Sequence, residues 1–423
     1  MRKIFFTGLL VLVLCTGLRS QSLRLDTCQA LALRNYPLVK QYGLIEASGR
    51  YSIENAGKNW LPQVNLTGQA SYQNEVVSFP ETGMPNAFPV LAKDQYKLGA
   101  EISQLLFDGG STHQEKALRE KEKELRQAEL SQQLYPLQER INQLFFGILL
   151  LRDQLEQNRL LQNDIEAGIR QASAAVENGT TFRSAVDELR AALLNARQHR
   201  ISLSANRDAY LQVLGAFLQR NLDSNTLLER PAEIAPGTTI RRPELRRFEL
   251  QEQQLALQQK NLHSRNLPSV SAFFNAYYGR PTFNIVSNDF GDFWIGGIRF
   301  SWNLGKQYTY KRDRDILSLQ QQQTALQKES FLFNTRLDLL QDNRQVQQFR
   351  EQVQNDREII VLRESVKKAA AAQLENGVIT SHDYLVQVIE DNQARINLSL
   401  HEIYLLKAIY QTAYHTGYQN QQP

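Results

Sequence analysis

One stretch of this sequence occurs twice. Pro37 is followed twenty-five residues later by Pro62, in Leu61-Pro62-Gln63-Val64, and Pro243 is followed at the same interval by Pro268, in Leu267-Pro268-Ser269-Val270. An alternating apolar run follows each. Gly109, in Phe107-Asp108-Gly109, and Gly305, in Asn303-Leu304-Gly305, each lie seventy-eight residues before an aspartate, Asp187 or Asp383, that opens a long apolar-periodic segment. A fixed internal period means that a unit of roughly 200 residues has been duplicated, and it constrains the fold before any local propensity does. The halves would have to pack on each other to cover their apolar stripes, so the 423 residues are not read as independent domains.

Within each unit the order is helix, strand, strand, very long helix, helix. Leu38 to Trp60 is the first helix, stopped by Pro62, because proline lacks an N–H and drives its predecessor into extended geometry. From Val64 the period becomes two: Val64, Leu66, Ala70 and Tyr72 share one face, and Asn65, Thr67, Gln69 and Ser71 the other. After a loop at 78–93 rich in proline, alternation resumes with Tyr96, Leu98, Ala100 and Ile102 against Lys97, Glu101 and Ser103. The second unit repeats this hairpin with Val270, Ala272, Phe274 and Ala276, then Trp294, Ile298, Phe300 and Trp302 opposite Arg299 and Ser301. Strands are expected at about 64–77, 94–107, 269–279 and 292–303, and long helices at about 111–178, 182–220, 307–376 and 380–415. The repeats are set at 21–220 and 243–415, joined by a connecting segment at 221–242 and followed by a tail at 416–423. The fold class is mostly α with a small antiparallel β part. At ~1.5 Å per residue, about seventy residues make a rod on the order of 100 Å long, which Pro136 would kink or divide in the first unit. Each rod closes at Glu-Asn-Gly, where asparagine and glycine tolerate the left-handed conformation of a helix end.

Arg2 and Lys3 precede the apolar run Ile4 to Leu14, with Thr16, Gly17 and Ser20 after it, so residues 1–20 read as a secretory leader cut after Gly17 or Ser20. Lipidation of Cys15 is not expected, because Leu14 is bulkier than the residue such sites carry. Loss of the leader leaves Cys28 alone, which precludes an internal disulfide. Net charge is only +4 with both signs interspersed, so no basic face recommends nucleic acid. The six histidines are scattered, no metal or other cofactor is called for, and no nucleophile–base pair points to an enzyme.

No later stretch holds eighteen consecutive apolar residues, so a membrane span would have to be built from strands. Strands of about ten residues rich in Tyr, Phe and Trp suit a membrane barrel, and a soluble antiparallel sheet with one wet face has the same alternation. Four strands cannot close a barrel; at a usual minimum of about eight, at least two chains must pool them. The long helices ask likewise for neighbours at coiled-coil spacing.

The duplicated plan resembles the TolC-type outer-membrane efflux channel family over essentially the whole mature chain. The resemblance rests on Leu-Pro-Gln-Val and Leu-Pro-Ser-Val before the first strands, on Leu106-Phe107-Asp108-Gly109-Gly110, and on the Asn-Gly turns leading to Asp187-Glu188-Leu189 and Asp383-Tyr384-Leu385. It implies a homotrimer with a twelve-stranded transmembrane barrel in outer-membrane lipid and a periplasmic α-helical barrel. It further implies docking onto a periplasmic adaptor beneath an inner-membrane transporter of the RND or ABC type. Asn178, Gly179, Thr180 and Asn376, Gly377, Val378 match the adaptor-contacting tips. Asp383 matches a carboxylate ring at the closed periplasmic entrance, with Asp187 its counterpart. Both acids also suit helix starts, Asp187 through a capping box from Ser184.

The gate departs from the family pattern. Gly377 and Asp383 keep the six-residue spacing, Gly179 and Asp187 are eight apart, and Ile379 replaces the usual basic latch. Arg183, in the lengthened first tip, is the candidate to pair with a neighbouring acid instead. Glu101 and Arg299 fall on the polar strand faces and would line the lumen. Pro62, Pro268, Gly109, Gly110 and Gly305 mark the strand–helix junctions, where backbone permissiveness accounts for the glycines. The expected role is the exit duct of a tripartite efflux system; a protein-secretion exit duct and an exported, non-channel helical scaffold are the alternatives.

Overall fold

The computed structural model describes residues 22–77, 91–284 and 286–418. The leader at 1–20, Cys15, most of the 78–93 loop and the end of the tail lie outside the described residues. The chain runs α1 (Leu25–Asn35), α2 (Gln41–Gly57), β1 (Gln63–Tyr72), β2 (Asp94–Phe107), α3 (Ser111–Leu134), α4 (Pro136–Glu177), α5 (Arg183–Leu218), α6 (Pro243–Ser264), β3 (Ser269–Arg280), β4 (Gly291–Ser301), α7 (Gln307–Glu375) and α8 (Ser381–Thr416). Short 3-10 turns at Pro37–Lys40 and Lys58–Trp60 flank α2. Two compact units result, each drawing segments from both repeats: Met1–Val39, Leu134–Arg242 and Asn334–Pro423 form one, Lys40–Gln133 and Pro243–Phe333 the other.

Three differences from the sequence expectation have physical causes. The rod expected over 111–178 is divided, because Pro136 has no N–H to give back to the preceding turn and instead begins α4. α1 was not anticipated; its Leu25, Cys28 and Ala32 are buried, an i, i+3, i+7 pattern on a helix of only 11 residues. β1 ends at Tyr72 rather than near 77: the Gln73 N–H still bonds the Lys93 carbonyl at 2.9 Å, after which no further pairs form among the described residues.

In the first unit, α4 supplies Ile141, Phe145, Phe146 and Leu149 to a core shared with Leu211, Leu214 and Leu218 of α5, Ile403 and Ile409 of α8, and Cys28 of α1. Phe145 and Phe146 meet edge to face at 6.3 Å, and Phe146 meets Tyr410 at 5.5 Å, a favoured aromatic geometry. Cys28 is fully buried here, and burial pushes its thiol up to about 12, so it packs as a small hydrophobe and not as a nucleophile. α7 joins α8 through two near-buried pairs, Asp356 with His401 and Asp342 with His415, each at 2.6 Å.

In the second unit the four strands form one antiparallel sheet in the order β1-β2-β3-β4. The two hairpins anticipated from sequence are joined, because β2 pairs with β3 from Tyr96 opposite Arg280 down to Phe107 opposite Val270. A bulge between Leu105 and Phe107 inserts one residue, so Phe107 changes face and falls in line with Val270. β1 and β4 are left as the outer strands.

Candidate functional site

The register gathers the alternating apolar positions anticipated from sequence on one face. Val64, Leu66 and Ala70 lie beside Ile102, Ala100 and Tyr96, which lie beside Phe274, Ala276 and the end of β3, and Ala272, Ala276 and Val270 face Ile298, Trp294 and Phe300. This face is open: Leu66 is 85% exposed and Ile298 73%. Aromatic side chains edge it toward both ends, with Tyr72, Tyr96 and Tyr278 toward one and Trp60, Phe107, Phe300 and Trp302 toward the other, while Trp294 stands in the middle row with Leu66. An aliphatic band between two aromatic rims is the pattern of a lipid-facing barrel surface. Among the described residues no helix is long and apolar enough to cross a membrane.

The opposite face is polar and already organised. Tyr277 donates to Glu101 Oε1 at 2.5 Å, Thr67 donates to the same oxygen at 3.4 Å, and the Lys97 ammonium lies 4.4 Å from the Tyr277 ring centre. Gly99 leaves the room for that ring, since a Cβ there would stand 2.4 Å from Tyr277 Cδ1. The Arg299 guanidinium sits 4.7 Å over the Phe273 ring. Glu101 and Arg299 share this face without pairing with each other. Neither the Tyr277 contact nor the glycine beneath it could be read from alternation, which assigns a face and not a partner.

At the strand–helix junction Asp108, which the sequence reading passed over, is the organising side chain. Its two carboxylate oxygens accept from the Gly110 N–H at 2.9 Å and the Thr112 N–H at 2.7 Å, capping α3. Gly109 has φ +68° and a Cβ there would lie 2.6 Å from Leu267 Cβ, so only glycine fits. Pro62 and Pro268 each stand just ahead of the first strand residues, Gln63 and Ser269. Gly305 differs: it lies in the 3-10 turn Leu304–Lys306 without a positive φ, so the permissiveness invoked for it is not used.

The two tips of the first unit share one geometry. After α4, the N–H of Thr180 bonds Ala175 O at 2.9 Å and that of Gly179 bonds Val176 O at 3.0 Å. After α7, Val378 bonds Gln373 O at 2.8 Å and Gly377 bonds Leu374 O at 3.1 Å. Gly179 (φ +71°) and Gly377 (φ +70°) occupy the left-handed position, a paired-bond closure that satisfies the last carbonyls. Asn178 is the C-cap of α4, and Asn376 bonds Ala372 O through its side chain at 2.8 Å.

The following helix starts are not alike. Thr380 caps α8 in a reciprocal box with Asp383: Asp383 N–H to Thr380 Oγ1 is 3.2 Å, and Thr380 N–H to Asp383 Oδ2 is 3.0 Å. The hydrogen bonds from the Thr380 hydroxyl and N–H hold the Asp383 carboxyl below its usual range. The capping box expected from Ser184 does not form, because α5 begins at Arg183 with Phe182 at the N-cap and no side-chain bond. Asp187 instead lies 3.9 Å from Arg190, one turn along. Arg183, expected to find an acid, makes no ion pair among the described residues.

An acid–base contact does link the two tips. His382 Nδ1 stands 2.7 Å from Glu188 Oε1, 194 residues away. The hydrogen bond to Glu188, and then its charge, raise the imidazole above its ordinary 6.5. The contact therefore contributes fully below pH 6.5 and fades as pH rises through the raised value. A proton-detected titration should find His382 above its ordinary value in the parent and back near it in Glu188→Gln; an unchanged midpoint would show that the pair does not form.

Behind the tips, Ile165, Leu189 and Val388 form a second core with Tyr384, which packs over Gly168. Phe182 and Val378 stay outside it, 84% and 70% exposed. The sequence reading missed Phe182, His382 and Glu188; an exposed phenylalanine between Asn-Gly and a helix start was the one available signal.

The sequence profile described as outer membrane efflux protein matches residues 30–218. No curated protein matches the chain by sequence. Among solved structures, the CmeC outer membrane channel of Campylobacter jejuni superposes with a TM-score of 0.67 at 13% identity, over 94% of this chain and 87% of that one. The outer membrane protein VceC of Vibrio cholerae gives 0.68 at 12%, over 93% and 95%. The MtrE outer membrane channel of Neisseria gonorrhoeae, solved in its open state, gives 0.67 at 14%, over 93% and 88%. The duplicated strand pairs and the open apolar face thus go with two likenesses: residues 30–218 match the outer membrane efflux protein family, and the chain has the fold of solved outer membrane channels.

Proposed function

We propose that this protein is the outer-membrane channel of a tripartite efflux system: a passive exit duct with no chemistry of its own, embedded in the outer membrane of a Gram-negative bacterium and extending into the periplasm. The observation that carries this is the exposed apolar face of the sheet, with Leu66 85% and Ile298 73% accessible between aromatic rims. A soluble scaffold would hold that face in water at a large hydrophobic cost. Lipid removes the cost.

The outer strands β1 and β4 lack partners on one side, and an open edge is not tolerated in lipid. Three copies pairing β4 with the next β1 give twelve strands and a closed ring, which is the family's arrangement. α7 supports assembly in the same way: Leu319, Leu326, Phe333 and Leu340 recur every seven residues and are 59–65% exposed, the spacing of a coiled-coil seam. The polar face with Glu101, Lys97 and Arg299 would then line the lumen.

At the tips, Asn178, Gly179 and Thr180 with Phe182, and Asn376, Gly377 and Val378, form the surface offered to a periplasmic adaptor beneath an inner-membrane transporter of the RND or ABC type. The exposed Phe182 and Val378 are its apolar anchors, as buried interface hot spots usually need. Asp383, with Asp187 and Arg183 of the other tip, would face the three-fold axis and favour cations at the closed entrance. In planar bilayers the purified trimer should conduct and prefer cations, and Asp383→Lys should move the reversal potential in a salt gradient toward anion preference. A monomeric, non-conducting protein would overturn the channel reading, and an unmoved reversal potential would remove Asp383 from the gate.

A further inference from the structure

Both outer strands of the sheet begin or end in a tryptophan and a lysine at the helix-bearing side. Lys58 and Trp60 precede β1, and Trp302 and Lys306 follow β4. The alternating strand directions in the order β1-β2-β3-β4 bring the start of β1 and the end of β4 to the same end of the sheet. The Trp60 backbone and the Trp302 ring are each tied down by a hydrogen bond, and both residues are open to the outside. The Trp60 carbonyl accepts from Gln104 Nε2 at 2.5 Å, the Trp302 indole donates to Asn266 O at 3.0 Å, and the two residues are 41% and 49% exposed.

Three ammonium groups accompany them. Lys116 of α3 lies against Gly57, one residue before Lys58, with its Nζ 3.8 Å from where a Gly57 Cβ would be. Lys306 donates to the Arg265 carbonyl at 3.2 Å, which leaves two of its three N–H bonds free. Lys58, Lys116 and Lys306 are exposed and have no acidic partner among the described residues. Arg265 close by is different, being neutralised by Glu115 at 3.2 Å. Unpaired ammonium groups at the end of an aliphatic band, level with tryptophan, stand where phospholipid phosphates lie.

We propose that this rim is a binding site for a phospholipid of net anionic headgroup, completed where β4 of one subunit meets β1 of the next. The proposal rests on the trimeric reading above. Across that seam, Trp302 and Lys306 of one copy come beside Lys58, Trp60 and Lys116 of its neighbour. The phosphate takes N–H bonds from the lysines, and the acyl chains lie along Phe107, Val64 and Phe300 on the apolar face. Each lysine acting near a membrane surface contributes enough that losing two from one site should cost on the order of tenfold or more in retention.

The test is native mass spectrometry of the detergent-purified full chain incubated with phosphatidylglycerol or with phosphatidylcholine of the same acyl chains. The parent trimer should retain phosphatidylglycerol preferentially. K58Q/K306Q should remain trimeric and lose that preference by about tenfold, and K58R/K306R should keep it. A trimer that retains both lipids equally, or a glutamine variant that retains phosphatidylglycerol like the parent, overturns the site and leaves the trimer standing. A monomer mass overturns both.

Discussion

Leu66→Arg is expected to destabilise the membrane-embedded protein by about 2–4 kcal/mol, the cost of an arginine on the lipid face of a barrel near mid-depth. Leu66 lies opposite Ala100 in the middle of the apolar face and is 85% exposed within one chain. Both properties matter. At an exposed position in water, exchanging leucine for arginine shifts stability by no more than about 0.5 kcal/mol, because nothing packed is lost and the charge stays hydrated. In lipid the guanidinium must be dragged from water. The control is Thr67→Arg one residue on, which points to the polar face and should be mild. Denaturant titration of protein refolded into vesicles measures both. Equal, small changes at the two positions would mean that the apolar face meets water, and the barrel reading would fail.

The second large effect is expected within the helices. Asp391 of α8 is 3% exposed and sits between Lys367 of α7, at 2.6 Å, and Arg395, at 3.1 Å. Lys367 reaches on to Asp164 of α4 at 3.0 Å, so one ammonium joins three helices. Burial pulls this ammonium down, and its hydrogen bonds to Asp391 and Asp164 outweigh that, leaving it above its ordinary value. One Asp391 oxygen, Oδ1, is buried without a partner. Removing one member of a buried ion cluster leaves the others uncompensated at about 3–5 kcal/mol, and Asp391→Ala is expected at the lower end because Asp164 and Glu364 still serve the two cations. Replacing Lys367 and Asp391 together by methionine and leucine should cost less than Asp391→Ala alone. The opposite order in thermal unfolding would mean that the cluster is effectively solvated.

The strands were legible because their signal is local. A period of two assigns Val64, Leu66, Tyr96, Leu98, Trp294 and Ile298 to one face from side-chain polarity alone, and the observed register puts them together. The Asn-Gly closures were legible for the same reason, since a left-handed residue after a helix demands glycine within one turn. The helix starts were not. Ser184-Ala185-Val186-Asp187 satisfies the capping pattern, and Thr380-Ser381-His382-Asp383 does so equally; the first fails because α5 begins two residues too early for Ser184 to serve as cap. Arg183 and Asp187 sit in one tip without meeting, and the contact that does form joins His382 to Glu188 from opposite repeats.

By itself the sequence determined the duplication, the order of elements, the amphipathic faces of the strands and the glycine-closed tips, all of which depend on interactions among residues a few positions apart. Tertiary structure alone decided that β2 joins β3 into one sheet, that Tyr277 sits over Gly99 to hold Glu101, and that Lys367 joins α4, α7 and α8. Those contacts span up to about two hundred residues of chain. No local period encodes them, because which two distant groups meet depends on how all the elements between them pack.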